Sequence, residues 1–131
     1  MSFSLDISKW VEAEKRDQDK AVRGATLQIF GTVATRTPVK TGALQNNWQY
    51  SLQNPADGTL LYDGPPGAAE ASAITRARQE SIGWKPGDVV WFVNNLPYAE
   101  GIESGRSDQA PQGMVDVTLR EFDRAIKRNY G

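Results

Sequence analysis

Residues 89–93 read Val-Val-Trp-Phe-Val, the most apolar run of the chain. The short length of this run and its β-branched and aromatic side chains favour a central strand over a buried helix. A turn signal, Trp-Lys-Pro-Gly-Asp at 84–88, precedes it. Directly after it, residues 94–105 (NNLPYAEGIESG) are broken by proline and glycine. The sequence therefore predicts the centre of a sheet here, followed by a corner.

A second strand is predicted upstream, where side chains alternate at period two between Leu44 and Leu52. The positions that would share one half-buried face are Leu44, Asn46, Trp48, Tyr50 and Leu52. Residues 54–58 (NPADG) predict a turn and residues 59–62 a short return strand. Residues 63–67 (DGPPG) are typical of irregular structure, and we expect a flexible loop over about 53–70.

Three helices complete the predicted pattern. The first begins at a cap, Asp6 or Ser8, and runs to about Thr35; it ends at Thr37-Pro38 because a residue before proline avoids helical backbone. Its charges alternate in sign over 12–20, which indicates either a solvated face or a surface that docks onto a neighbouring subunit. The apolar stripes are Trp10, Val11, Val22, Ala25, Ile29, Phe30 and Val33 in this helix, Ala71, Ile74, Ala77 and Ile82 in a weaker helix at 68–82, and Val115, Leu119, Phe122 and Ile126 in a helix at 114–127.

The composition is that of one ordinary globular domain. The chain has 131 residues, of which 39% are hydrophobic and 24% charged, enough for a single modest core. Strands in the middle, with helices at both ends and one between, predict an α+β domain over residues 1–131. We expect a small, mostly antiparallel sheet packed with a long N-terminal helix, a middle helix and a C-terminal helix.

Several classes of function are disfavoured by what the chain lacks. The formal net charge of −1 gives no global attraction to nucleic acid or to an anionic membrane. No apolar run approaches the roughly 18 residues of a spanning helix, and the start, MSFSLDISKW, does not read as a signal peptide. Cysteine and histidine are absent, which excludes disulfides, thiolate zinc sites, imidazole metal sites and Ser-His or Cys-His pairs. Carboxylate, lysine and tyrosine chemistry remains open, but the absences disfavour catalysis, and we expect no enzymatic activity, no cofactor and no metal.

The carboxylates of Glu100 and Glu103 are the strongest candidates for chemistry. They fall three residues apart, so a helical turn would place both on one side. Two carboxylates can divide acid and base roles or bind a hard cation, and Asp108 could complete a metal set. We favour the alternative that one carboxylate caps or pairs locally while the other faces solvent, since no ordered ligand spacing accompanies them.

The large aromatic residues offer a second set of candidates. Trp48, Trp84, Trp91, Tyr50 and Tyr98 could stack on sugars or bases. Because no basic patch accompanies them, we expect them in the core and at subunit contacts, where aromatic residues supply most of the burial energy. The GPPG sequence at 64–67 is not a phosphate loop, since it lacks GxxxxGK and its prolines have no N–H to donate.

The order of several short motifs is distinctive. A long predicted helix is followed by residues 37–44 (TPVKTGAL), with Trp48 close behind. Residues 95–99 (NLPYA) then precede Glu103 and Gly105, and APQGM at 110–114 opens the last helix. This order resembles the small neck or tail-completion proteins of tailed bacteriophages, the tail-component or head–tail joining family, in which a T-P-V-x-T-G-x-L turn and a P-Y-A…E-x-G segment recur. The resemblance spans about residues 8–128, and its pattern has no counterpart for residues 58–87.

The resemblance implies a structural virion protein without catalysis, which forms a hexameric ring and joins the tail to the head connector. Implied partners are further copies of the chain, the tail-tube or tail terminator protein, and the head–tail connector proteins. DNA would pass through the ring without sequence-specific contact, and no membrane partner is expected. The implied location is the virion neck or tail, and the host cytoplasm during assembly.

Three alternatives stay open. The first is a tail terminator that caps the tail tube. The second is a small carboxylate-dependent cell-wall glycan hydrolase that uses Glu100, Glu103 and Tyr98. The third, a carbohydrate-binding module, requires Trp48, Trp84 or Trp91 to be exposed in a row.

The candidate subunit-contact or structural-corner residues are Thr37, Pro38, Thr41, Gly42, Leu44, Trp48, Pro97, Tyr98, Glu100, Glu103 and Gly105. Thr41-Gly42 predicts a sharp turn in which Gly42 takes a positive φ at little cost. In the second motif we expect Pro97 to end the strand and Tyr98 to anchor a short helical turn. Glu103 is then expected to pair with a local donor or a neighbouring subunit rather than with a substrate.

Overall fold

The fold is known from a computed structural model that describes residues 1–5, 18–103 and 115–130. In chain order its elements are β1 (Ser2–Leu5), α1 (Gln18–Arg36), α2 (Ala43–Asn46), β2 (Gln49–Leu52), a 3-10 turn (Pro66–Ala68), α3 (Ala69–Ser81), β3 (Val90–Val93), α4 (Ala99–Glu103) and α5 (Val115–Tyr130). Helices and one small antiparallel sheet make this an α+β fold, as predicted.

The sheet has three strands in the order β1-β3-β2, with both outer strands antiparallel to β3. The apolar run at 89–93 therefore forms the central strand, which confirms the main prediction from sequence. Strand β1 was not predicted, because the alternation in Ser-Phe-Ser-Leu is too short to stand out from a helix start. The two predicted helix starts, Asp6 and Ser8, lie outside the described residues.

The core lies on one face of this sheet, against α1. Phe3, Phe92 and Tyr50 are aligned across the three strands and therefore point to the same face. Phe30 of α1 meets Phe92 edge-on with ring centroids 5.2 Å apart, and Phe3 meets Phe92 in the same way at 5.3 Å. The predicted stripe of α1 is buried at Val22, Ile29, Phe30 and Val33, while Ala25 is half-buried.

The predicted strand over 44–52 is wrong in its first half. Residues 43–46 form the short helix α2, closed by main-chain bonds from Asn46 N to Gly42 O (2.9 Å) and from Asn47 N to Ala43 O (3.0 Å). The strand begins only at Gln49. All residues from Leu44 to Trp48 are buried, so the apparent alternation did not reflect one exposed face. Residues 59–62 likewise form no strand.

The stripe predicted for the middle helix is also wrong in part. The buried positions of α3 are Ala69, Ala73, Ala77 and Ser81, whereas Ala71 is exposed and Ile74 is half-buried. Ile82 lies just beyond the helix and is 74% exposed. Small residues line the buried face because α3 packs closely against α1 and β2, which leaves no room for longer side chains.

Other predicted features fall outside the described residues: the stripe start at Trp10 and Val11, and the side chain of Ile126 in the last stripe. In α5, Val115 is buried and both Leu119 and Phe122 pack partly against the core, as predicted. The described helices include none that is long and apolar enough to cross a membrane.

Candidate functional site

The first motif residue, Thr37, joins the end of α1 to the chain that enters β2. Its hydroxyl donates to Val33 O (2.7 Å) and accepts the indole N–H of Trp48 (2.8 Å). Both side chains are buried, at 2% and 1% exposure. A buried indole N–H needs an acceptor, and Thr37 supplies it. These two residues therefore act as a structural link, and Pro38 follows them just beyond the helix end, as predicted.

Gly42 is the tightest point of the turn. Its φ of 90° lies in the left-handed region, as the sequence predicts. A Cβ at this position would lie 2.8 Å from Tyr62 Cε2 and 3.0 Å from Ala69 Cβ. Thr41 supports the turn by accepting the Ala43 N–H at its Oγ1 (3.2 Å). The glycine is thus required by the backbone angle and also by close packing against the segment that precedes α3.

Two asparagines that were given no role from the sequence hold the neighbouring segments. The Asn94 side chain is fully buried; its Nδ2 donates to Leu44 O (2.9 Å), which ties β3 to α2. Asn47 pairs with the main chain of Leu60 in both directions, donating to its oxygen (2.9 Å) and accepting from its nitrogen (2.7 Å). Because both asparagines bond to main-chain atoms, no sequence pattern identifies either residue.

The segment predicted to be a flexible loop is fastened to the sheet at several points. Besides the Asn47–Leu60 pair, the side-chain amide of Asn95 donates to Ala56 O (2.9 Å) and Gly58 O (2.8 Å). The flexibility of this segment stays a prediction.

In the second motif, Glu103 closes the corner. Its Oε1 accepts the Val115 N–H (2.8 Å) and its Oε2 accepts the Asp116 N–H (2.9 Å), so the carboxylate caps the start of α5. Negative charge at a helix N-terminus is stabilising, because the free N–H groups and the helix dipole point toward it. This is the local donor pairing expected from the sequence. Both carboxylate oxygens are therefore engaged by main-chain donors.

The remaining candidates of this motif are less enclosed. Pro97 is exposed and Tyr98 is 50% exposed, and both precede α4. The Glu100 side chain, Gly105 and Asp108 lie outside the described residues. Within the described part of the chain, no group of three or more carboxylates could hold a metal ion.

The aromatic candidates divide by burial. Trp48, Trp84 and Tyr50 are 1%, 2% and 5% exposed, whereas Trp91 is half-buried on the other face of the sheet. A row of exposed tryptophans, as a carbohydrate-binding module would need, is not formed by these residues. The Tyr50 hydroxyl lies 2.8 Å from Thr26 Oγ1, and burial raises the pKa of this phenol above its ordinary value.

Arg76 of α3 is the most heavily bonded cation of the described residues, and it too was given no role from the sequence. Its Nη1 donates to Asn46 Oδ1 (2.9 Å) and to Ser72 Oγ (3.1 Å). Its Nη2 donates to the main-chain oxygens of Asn46 and of Trp48, the latter at 3.3 Å. All four acceptors are neutral, and desolvation lowers the pKa of the guanidinium. Arg76 therefore ties α3 to the end of α2, and the described residues place no neutralising carboxylate beside it.

Comparison with protein-family models, with curated proteins and with solved structures found no match to this chain.

Proposed function

We propose that this chain is a structural virion protein of a tailed bacteriophage, a neck or tail-completion protein that forms a ring and joins the tail to the head connector. The proposal starts from the motif order TPVKTGAL…NLPYA…E-x-G, which resembles that family. The observation that carries it further is the use of the motif residues. Thr37 and Glu103 each join separate segments of the chain, and Gly42 permits a close approach of two others, which supports a structural use of the motifs.

Exposed apolar side chains supply contacts that a ring could use. Leu61 is fully exposed, and Ile82, Tyr98 and Val89 are 74%, 50% and 38% exposed. Interfaces between subunits are rich in such residues at their centres. The expected partners are further copies of this chain, in a hexamer by family resemblance, with the tail-tube or terminator protein on one side and the head–tail connector on the other.

The glycan hydrolase is the rival from another class, and the position of Glu103 disfavours it. An acid or base on a glycosidic bond needs a carboxylate oxygen that reaches the substrate. Both oxygens of Glu103 instead accept main-chain N–H groups of α5. A tail terminator remains the nearer alternative, because the same architecture would serve it.

Deletion of the gene from the phage genome, followed by electron microscopy of the lysate, tests the proposal. Full heads and separate tails of normal length are expected. Tails of abnormal length would favour the terminator, and normal joined particles would overturn the structural role altogether. A cell-wall digestion assay with the purified protein tests the rival directly, since measurable cleavage that is lost in Glu103→Gln would support a hydrolase.

A further inference from the structure

A cleft of about 380 Å³ lies between the edge of the sheet and α3. Strand β2 forms one wall, with Tyr50 at its middle. Ala56 and Leu60 of the following segment form an apolar wall, and Arg76, Gln79 and Glu80 of α3 form a polar wall. A cleft of this size can enclose a short stretch of peptide.

The wall formed by β2 presents unpaired main-chain groups. In β3, the residues that bond to β1 alternate with those that bond to β2. Asn94 exchanges bonds with Met1, at 2.8 Å and 2.7 Å, so Phe92, two residues away, also turns its N–H and C=O toward β1. Tyr50 is aligned with Phe92 and therefore directs its own N–H and C=O away from the sheet. The bond from Gln53 N to Val89 O (2.7 Å) fits the same alternation.

The opposite wall holds an unneutralised cation. Arg76 donates four hydrogen bonds to neutral oxygens, and the described residues place no carboxylate in an ion pair with it. These bonds leave the Nε–H donor free, and its nitrogen atom is not buried. Glu80, one turn further along α3, is exposed and forms no ion pair with Arg76. A charge-assisted hydrogen bond to a carboxylate is the interaction that such a guanidinium lacks.

We infer that this cleft binds an extended segment of a protein partner that carries a glutamate or aspartate. The acidic side chain would reach the Arg76 guanidinium, and the main chain beside it would bond to Tyr50. Neighbouring apolar side chains of the partner would contact Ala56 and Leu60. Charge complementarity at Arg76 selects an acidic partner over a neutral one. The cleft is independent of the ring proposed above, so its binding can be measured on the isolated chain whatever the protein assembles with.

Nuclear magnetic resonance titration of the full, ¹⁵N-labelled chain tests this inference. The probe is the blocked tripeptide acetyl-Val-Glu-Val-amide, and its control is acetyl-Val-Gln-Val-amide. The glutamate peptide is expected to shift the Arg76 Nε–H and Tyr50 amide signals with a Kd of about 1 mM or tighter. The glutamine peptide is expected to bind at least several-fold more weakly. Equal binding of both peptides, shifts confined to other surfaces, or no saturable shift would overturn the inference.

Charge variants at the cleft rim avoid the four bonds that Arg76 makes and so keep the fold intact. Glu80→Gln removes a repelling carboxylate and should tighten binding of the glutamate peptide, while Gln79→Glu adds one and should weaken it, each by about threefold. Gln28→Glu makes the same charge change on the exposed side of α1 and should leave the Kd unchanged. Inorganic phosphate is a further arm: if it competes as strongly as the peptide, the cleft is a general anion site and not a peptide site.

Discussion

The substitution Gly42→Ala tests the central turn of the first motif. The residue has a φ of 90°, which an L-alanine adopts only with strain. The added methyl would lie 2.8 Å from Tyr62 Cε2, 3.0 Å from Ala69 Cβ and 3.2 Å from Pro66 Cα. None of these neighbours yields easily. The Tyr62 hydroxyl donates to Pro65 O, Ala69 is fully buried in α3, and the Pro66 atom belongs to the main chain.

Two costs add at this position. Left-handed backbone in a non-glycine residue costs about 1–2 kcal/mol. Forcing a methyl group into a packed site costs typically about 1–3 kcal/mol more. We therefore expect Gly42→Ala to lower the free energy of unfolding by about 2–5 kcal/mol, a large share of the roughly 5–15 kcal/mol typical of a domain.

Gly58→Ala is the matched control, because Gly58 also has a positive φ, 78°, but an added methyl there would meet no neighbouring atom within 4 Å. It should show the backbone cost alone, about 1–2 kcal/mol. Urea denaturation followed by tryptophan fluorescence measures both, since Trp48 and Trp84 are buried and report on unfolding. Equal destabilisation by the two substitutions would refute the close-packing argument.

Three further predictions concern polar side chains in the core and at the start of α5. Thr37→Val should lower the free energy of unfolding by about 1–3 kcal/mol in urea denaturation, because the Trp48 indole N–H loses its acceptor inside the core. Glu103→Gln should lower it by about 0.5–2 kcal/mol and reduce helical circular dichroism, because the start of α5 loses a charged cap. Burial raises the pKa of Tyr50 above 10.0, so the unfolded chain releases this proton first and stability should fall as pH rises past about 10. The Tyr50→Phe variant should lose less stability at alkaline pH. Urea denaturation midpoints at several pH values measure this loss.

Each of these has an outcome that contradicts it. Thr32→Val removes a hydroxyl that donates to Gln28 O at an accessible site, and a cost equal to that of Thr37→Val would argue against the buried link. Glu80→Gln removes an exposed charge that caps no helix. If it destabilises the protein as much as Glu103→Gln does, the effect at Glu103 does not come from capping α5. An unchanged alkaline slope in Tyr50→Phe would show that other groups cause it.

The central strand and the helix ends could be predicted because their signals are local. Five apolar residues at 89–93 indicate a buried strand by themselves, and Thr37-Pro38 stops a helix by backbone sterics. The turn at Gly42 is also a local feature, since the glycine permits a positive φ. The tight contact with Tyr62 depends on a segment twenty residues further along, and no local pattern predicts it.

The errors have a common cause in tertiary packing. The period-two pattern over 44–52 was misleading because residues 44–48 are all buried, polar side chains included, so the alternation of apolar and polar residues does not mark a buried and an exposed face. The buried face of α3 is set by its closeness to α1 and β2, which favours alanine and serine over isoleucine. Asn94 gave no signal because it donates to a main-chain oxygen, which has no sequence signature, and the same holds for two of the four bonds of Arg76.

The proposed role as a joining protein is tested most directly by complementation outside the cell. Purified protein is added to a lysate that lacks it and contains separate full heads and tails, and joined infectious particles are then counted by plaque assay and electron microscopy. We expect joining to be restored by this chain and to be restored less well by the destabilised Gly42→Ala variant. Heads and tails that stay separate after addition of the folded protein would contradict it.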